Sequence, residues 1–165
     1  MEINLHPETS HFPIALLAAS FLFDLLGFVA KSDSLRLSGR YCLILAAIGA
    51  VAAYFTGLHA AVDAQTIPEI GNSLAIHRSA ALMTLRMAMA LVVIRIVLIL
   101  RYSTNRLGMI FYLFLAMVVL LSILRAGYTG TELVRRFGAG VDPVARTIER
   151  RQQEVAPAAP TLPAP

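Results

Sequence analysis

The residues whose type and placement could do chemistry are four histidines, His6, His11, His59 and His77. Neutral imidazole is the side chain best suited to ligating haem iron, copper or zinc, and a helical bundle can aim ligands from different helices at one interior point. Arginines accompany them. Arg78 follows His77 directly, and Arg86 and Arg125 stand in apolar surroundings. A haem carries two propionates that need such partners. An arginine inside a membrane costs at least about 2.5 kcal/mol on insertion scales and must snorkel, find a partner or face a wet cavity. The competing role for Arg86 is an ion pair with Asp24, which could equally reach Arg95 and tie two helices together.

Other chemistries are poorly served. The single cysteine, Cys42, excludes an internal disulfide, a thiolate cluster and a CxxCH haem attachment. Any haem would therefore be held non-covalently. The carboxylates Glu2, Glu8, Asp63, Glu69 and Glu132 do not form the Glu-x-x-His repeats of a di-iron bundle. A mononuclear zinc or copper site on the histidines stays open. Ser10 beside His11 is no catalytic pair, because adjacent helical residues point apart. Net charge is +4, but the basic residues lie at the ends of apolar runs and in the tail, without interleaved aromatics, so nucleic acid is not expected as a partner. Met83, Met87 and Met89 read as gap-fillers before thioether ligands.

The elements that must position these groups are set by hydropathy. With 58% apolar residues and a mean hydropathy of +0.71, the chain is too apolar for a water-soluble globule. A membrane-spanning helix needs about 20 apolar residues, and the segments 12–30, 41–62, 79–100 and 107–126 qualify. Short links at 31–40 and 101–106 force antiparallel neighbours. The expected fold is all-α, an integral membrane four-helix bundle running up-down-up-down. Odd helices begin and even helices end on one side, so all four imidazoles fall near one membrane face. Lys31, Arg36, Arg40, Arg101 and Arg106 crowd the two short links, which places those links in the cytoplasm and both termini in the periplasm. The arginines of the tail count against this orientation.

Local signals complete the pattern. No Lys or Arg precedes the first apolar run, so it lacks the charged start of a secretory signal and is expected to be retained. Pro7 and Pro13 read as helix-start devices. Small residues from Ala46 to Gly57 let a neighbouring backbone, or a flat macrocycle, approach helix two closely. No internal repeat stands out beyond the general likeness of one apolar helix to another. The membrane domain is expected over 1–141, and the polar, then Pro/Ala-rich stretch 142–165 reads as a disordered tail.

Three stretches resemble a known family. They are His6-Pro7-Glu8-Thr9-Ser10-His11-Phe12-Pro13-Ile14-Ala15-Leu16 with Asp24-Leu25-Leu26 downstream, Thr56-Gly57-Leu58 followed by His77, and the Gly-rich run from Gly127 to Val134 with Gly138 to Val141. Together they resemble the domain of unknown function 2231 family, small four-helix bacterial membrane proteins. The resemblance implies a fold of the kind compared with di-haem b-type cytochromes, an inner-membrane location and an association with respiratory or c-type cytochrome genes. His6, His11 and His77 match the family's polar positions. Two positions depart from its pattern: Phe137 stands where many relatives are expected to have a histidine, and His59 is an addition.

The leading expectation is a b-type haem, one rather than two, near the histidine-rich face. His11 and His77 would be axial ligands, with His59 as an alternative and His6 close by, and Arg78, Arg86 and Arg125 would bind propionates. Its role would be electron transfer beside other membrane subunits or a c-type cytochrome, rather than stand-alone catalysis. The rival expectations are a cofactor-free structural or assembly subunit and a copper- or zinc-binding membrane protein.

Overall fold

The computed structural model describes residues 6–65, 67, 69–100 and 106–139, without the side chains of Pro7, Glu8 and Asp63. Four helices account for nearly all of them: α1 (His6–Val29), α2 (Asp33–Ala64), α3 (Gly71–Leu100) and α4 (Arg106–Phe137). Each is long and apolar enough to cross a membrane. Consecutive helices pack side by side and α4 returns to α1, leaving α1 and α3 on one diagonal and α2 and α4 on the other. The up-down-up-down bundle read from the link lengths is the observed one. The tail 142–165 lies outside the described residues.

The helices run past the apolar segments that announce them. α1 starts at His6, six residues before residue 12, and α4 carries on through Gly127 and Gly130 to Phe137. The Gly-rich stretch that resembles a helix exit is thus helical. The stop comes later, at Gly138, which has φ 63° and bonds Val134 O through its amide at 2.9 Å. Pro13 lies inside α1 rather than at its start, with its ring buried against α2 near Gly49. Polar ends do not stop a helix here because intrahelical bonds satisfy the backbone whatever the side chains do.

The α1–α2 turn is abrupt. Lys31 takes a left-handed φ of 52°, and the amide of Ser32 bonds Gly27 O at 3.1 Å, which closes α1 with a Schellman-type turn. Close approach of these two helices depends on glycine in α2. A Cβ on Gly39 would lie 2.7 Å from Asp24 Oδ1. In lipid, where apolar burial gives little drive to helix association, such contacts and interhelical hydrogen bonds hold the pair together. Ser20 Oγ supplies one, donating to Gly39 O at 2.9 Å.

The interior is layered along the bundle axis. Near the short links, the Arg95 guanidinium bonds Asp24 Oδ1, and Tyr112 OH donates to Asp24 Oδ2 at 2.9 Å. Arg95 also sits over the Tyr112 ring, 4.5 Å from its centroid. Asp24 is fully buried and Arg95 nearly so. Of the two partners open to Asp24 on sequence grounds, the fold selects Arg95. A core of Leu17, Leu43, Ala46, Ala88, Leu91 and Ala116 follows. Beyond it, Ala61, Ala64, Ile70, Leu74 and Leu133 form a smaller cluster beneath the α2–α3 link. The candidate site lies between these two clusters.

Candidate cofactor site

Helical phase decides which histidines turn inward. At about 100° per residue, His6 shares a face with Pro13, Leu17, Ser20 and Asp24, all four of them buried. His77 shares one with Thr84, Ala88, Leu91 and Arg95, again all buried. His6 and His77 therefore meet across the diagonal, with ring centroids 6.3 Å apart and planes at 67°. His11 is five residues from His6, about 140° around the helix. It is exposed, on the rim of the same cavity.

Each inward imidazole is held by the helix beside it. His6 Nδ1 lies 3.2 Å from Thr56 Oγ1, and His77 Nδ1 lies 3.1 Å from Thr129 Oγ1. The Thr129 hydroxyl lies 3.0 Å from Ala126 O one turn earlier, and the Thr56 hydroxyl lies 3.1 Å from both Ala52 O and Ala53 O and 2.9 Å from Thr9 Oγ1, whose own hydroxyl lies 3.1 Å from His6 O. The residue after each of Thr56 and Thr129 is a glycine lying against the ring. A Cβ on Gly57 would come within 2.8 Å of His6 Cε1, and one on Gly130 within 3.1 Å of His77 Cε1. Burial pushes His6 below the ordinary imidazole value of 6.5, partly offset by a hydrogen bond to the backbone of Ala53. His6 is thus neutral at physiological pH, the form that ligates metal.

The two rings lie on the wall of a cavity of about 730 Å³ between the α1–α2 and α3–α4 pairs. Its wall is mainly apolar and built from small residues, among them Ala50, Ala53, Ala81 and Gly127. That volume suits an organic cofactor better than a bare ion. Arg78 reaches the wall too. Other expected residues are elsewhere: His59 is exposed with Nδ1 against Phe55 O at 3.0 Å, and Arg86 and Arg125 are exposed on outer faces, away from the cavity wall. Among the described residues, no three His, Cys, Asp or Glu side chains converge as a metal-binding group.

A match over residues 2–143, which spans the whole described bundle, ties this arrangement to a family described as a predicted membrane protein. The chain belongs to the domain of unknown function 2231 family. Neither a curated protein nor a solved structure matches it. Within the family frame, the resemblance carried by the HP-x-x-x-HFPIAL stretch holds, and the fold gives its two histidines different places, His6 inside and His11 on the rim. Thr56 and Thr129, which sequence reasoning passed over, belong to the site as much as the imidazoles do. The signal was present as two Thr-Gly pairs near the ends of the two even helices.

Proposed function

We propose that this protein is a membrane-embedded b-type haem protein acting in electron transfer, in which His6 and His77 would hold the haem. The observation that carries the reading is the pair itself. Two imidazoles bound to opposite sides of one metal at about 2.0–2.1 Å per metal–nitrogen bond, the value for zinc, have ring centres about 6 Å apart. The observed separation is 6.3 Å. Two imidazoles converging among the described residues suit a centre that brings further nitrogens of its own, as a porphyrin does.

The residues present fit such a group. His6 and His77 would hold the iron, the small residues of α2 would leave room for a flat ring, and Arg78 would neutralise a propionate. When bound, haem supplies a one-electron couple. The chain's own part would be to keep the His6 imidazole neutral, hold both rings by Thr56 and Thr129, and line the cavity's end beneath the α2–α3 link with the apolar Leu74 and Leu133.

The concentration of basic residues in the short links supports termini in the periplasm of a bacterial inner membrane. The histidine-rich face would then meet a soluble c-type cytochrome or a neighbouring respiratory subunit. The test is the absorption spectrum of protein purified from haem-replete cells. A Soret band that shifts on dithionite reduction is expected, lost or replaced by that of a high-spin haem in His6→Ala and His77→Ala and unchanged in His11→Ala and His59→Ala. A colourless, well-folded preparation would overturn the haem reading and leave a cofactor-free scaffold in its place.

A further inference from the structure

The two halves of the bundle are built on one plan. Moving 71 residues along the chain carries His6 to His77 and takes the inward residues Pro13, Leu17, Ser20 and Asp24 onto Thr84, Ala88, Leu91 and Arg95, every one of them buried. Moving 73 residues carries Thr56-Gly57 onto Thr129-Gly130, and takes the buried Gly39, Leu43, Ala46 and Ala53 onto the buried Tyr112, Ala116, Val119 and Ala126. Side chains differ at most of these positions, so the likeness is in register and burial. At the cavity it extends to identity: His, Thr, Gly and the backbone carbonyl of an alanine recur in the same bonds, at 3.2 and 3.1 Å for the imidazoles and 3.1 and 3.0 Å for the hydroxyls.

We infer that the chain is a duplicated helical hairpin in which each copy contributes one complete half of a symmetric ligand site, with Thr56 and Thr129 as positioning residues that fix both imidazoles in the Nδ1–H tautomer. Beside each threonine the imidazole also bonds the backbone of an alanine, Ala53 for His6 and Ala126 for His77, and a carbonyl can only accept, while the same carbonyl is within reach of the threonine's own hydroxyl proton and leaves its oxygen to accept from the ring. Nδ1 must then donate in both histidines, which leaves the ligating lone pair on Nε2 in both. Glycine next to each threonine lets the ring lie against the helix, with Cε1 at the contact. The site takes an occupant that meets the two hairpins alike, through one Nε2 from each. This deepens the haem reading by naming what sets its ligands, and the tautomer claim can be tested without any cofactor.

The test uses full-length protein labelled with 15N-histidine, in detergent micelles without haem, well above the imidazole pKa. Nitrogen chemical shifts and two-bond proton couplings report the tautomer of each ring, and His6→Gln and His77→Gln assign the signals. Nε2 of His6 and of His77 is expected in the pyridine-type region. Thr129→Val should move Nε2 of His77 toward the pyrrole-type region and leave His6 unchanged, and Thr56→Val should do the reverse. Thr→Ser at either site should restore the wild-type signal, which a merely space-filling role would not require. Haemin titration should show each Val variant weakened by a similar factor, about 10- to 100-fold. Pyrrole-type Nε2 in the wild type, or Val variants that leave both tautomers alone, would overturn the positioning role. A response in one half only would overturn the equivalence of the two hairpins. Wild-type tautomers as expected in a protein that never binds haemin would refute the haem reading alone.

Discussion

Asp24 and Arg95 each stand eighteen residues beyond an inward-facing histidine, and they bond to each other across the bundle diagonal. One matched pair of positions thus faces the cavity as His6 and His77, and the next matched pair locks the opposite end as an ion pair. The lock joins the two hairpins where no cavity separates them, with Tyr112 completing the carboxylate's bonds. The bundle is clamped at one end and hollow at the other.

Breaking the clamp by one partner leaves an uncompensated buried charge. Asp24→Ala or Arg95→Ala should destabilise the fold by about 3–5 kcal/mol, whereas the double substitution Asp24→Leu with Arg95→Met should cost much less. Denaturation of the purified protein in mixed micelles measures both. Equal losses in the single and double variants would mean that the pair is not a coupled unit.

Glycine beside each imidazole makes a graded prediction. Gly57→Ala forces a Cβ to within 2.8 Å of His6 Cε1, and Gly130→Ala brings one to 3.1 Å from His77 Cε1. The His6 ring must shift, while the His77 ring need give by only a few tenths of an ångström. Gly57→Ala should therefore weaken haemin binding more than Gly130→Ala, with helical circular dichroism unchanged in both. The reverse order would contradict the placement of the rings.

Much of this was legible in the sequence, for identifiable reasons. Four spans, their antiparallel order and the diagonal relation of α1 to α3 follow from apolar lengths and short links. Helix ends did not follow, since the polar first turns of α1 and last turns of α4 carry no stop until Gly138. That error hid the phase of His6: a helix starting at residue 12 leaves His6 outside it, whereas one starting at His6 puts it on the face of Asp24. Arg86 read as inward because charge in a membrane wants a partner, and Arg125 as standing near the histidines' membrane face to meet a propionate, but both are exposed on outer faces, away from the cavity wall. The duplication was invisible because matched inward positions hold unlike side chains, Asp24 against Arg95 and Gly39 against Tyr112 among them, leaving little more than His and an Ala-x-x-Thr-Gly pattern as repeated letters.

Acid should loosen the cavity end. Burial holds His6 below 6.5, so in the window just under that value the unfolded chain takes up a proton that the folded chain refuses. The stability tied to neutral His6 is fully present above pH 6.5 and is lost progressively as pH falls below it. Thermal unfolding compared at about pH 7.5 and about pH 5.5 should show a drop in the wild type that is smaller in His6→Gln. An equal drop in both would assign the acid sensitivity elsewhere.

The proposed haem would draw one iron ligand from each of His6 and His77. Its most direct measurement is the electron paramagnetic resonance spectrum of the oxidised protein, taken with quantification of bound haem. The account predicts one low-spin ferric centre per chain with bis-imidazole g-values, converted to a high-spin signal or lost in His6→Ala and in His77→Ala. A low-spin signal that survives both substitutions, or that disappears in His11→Ala instead, would contradict it.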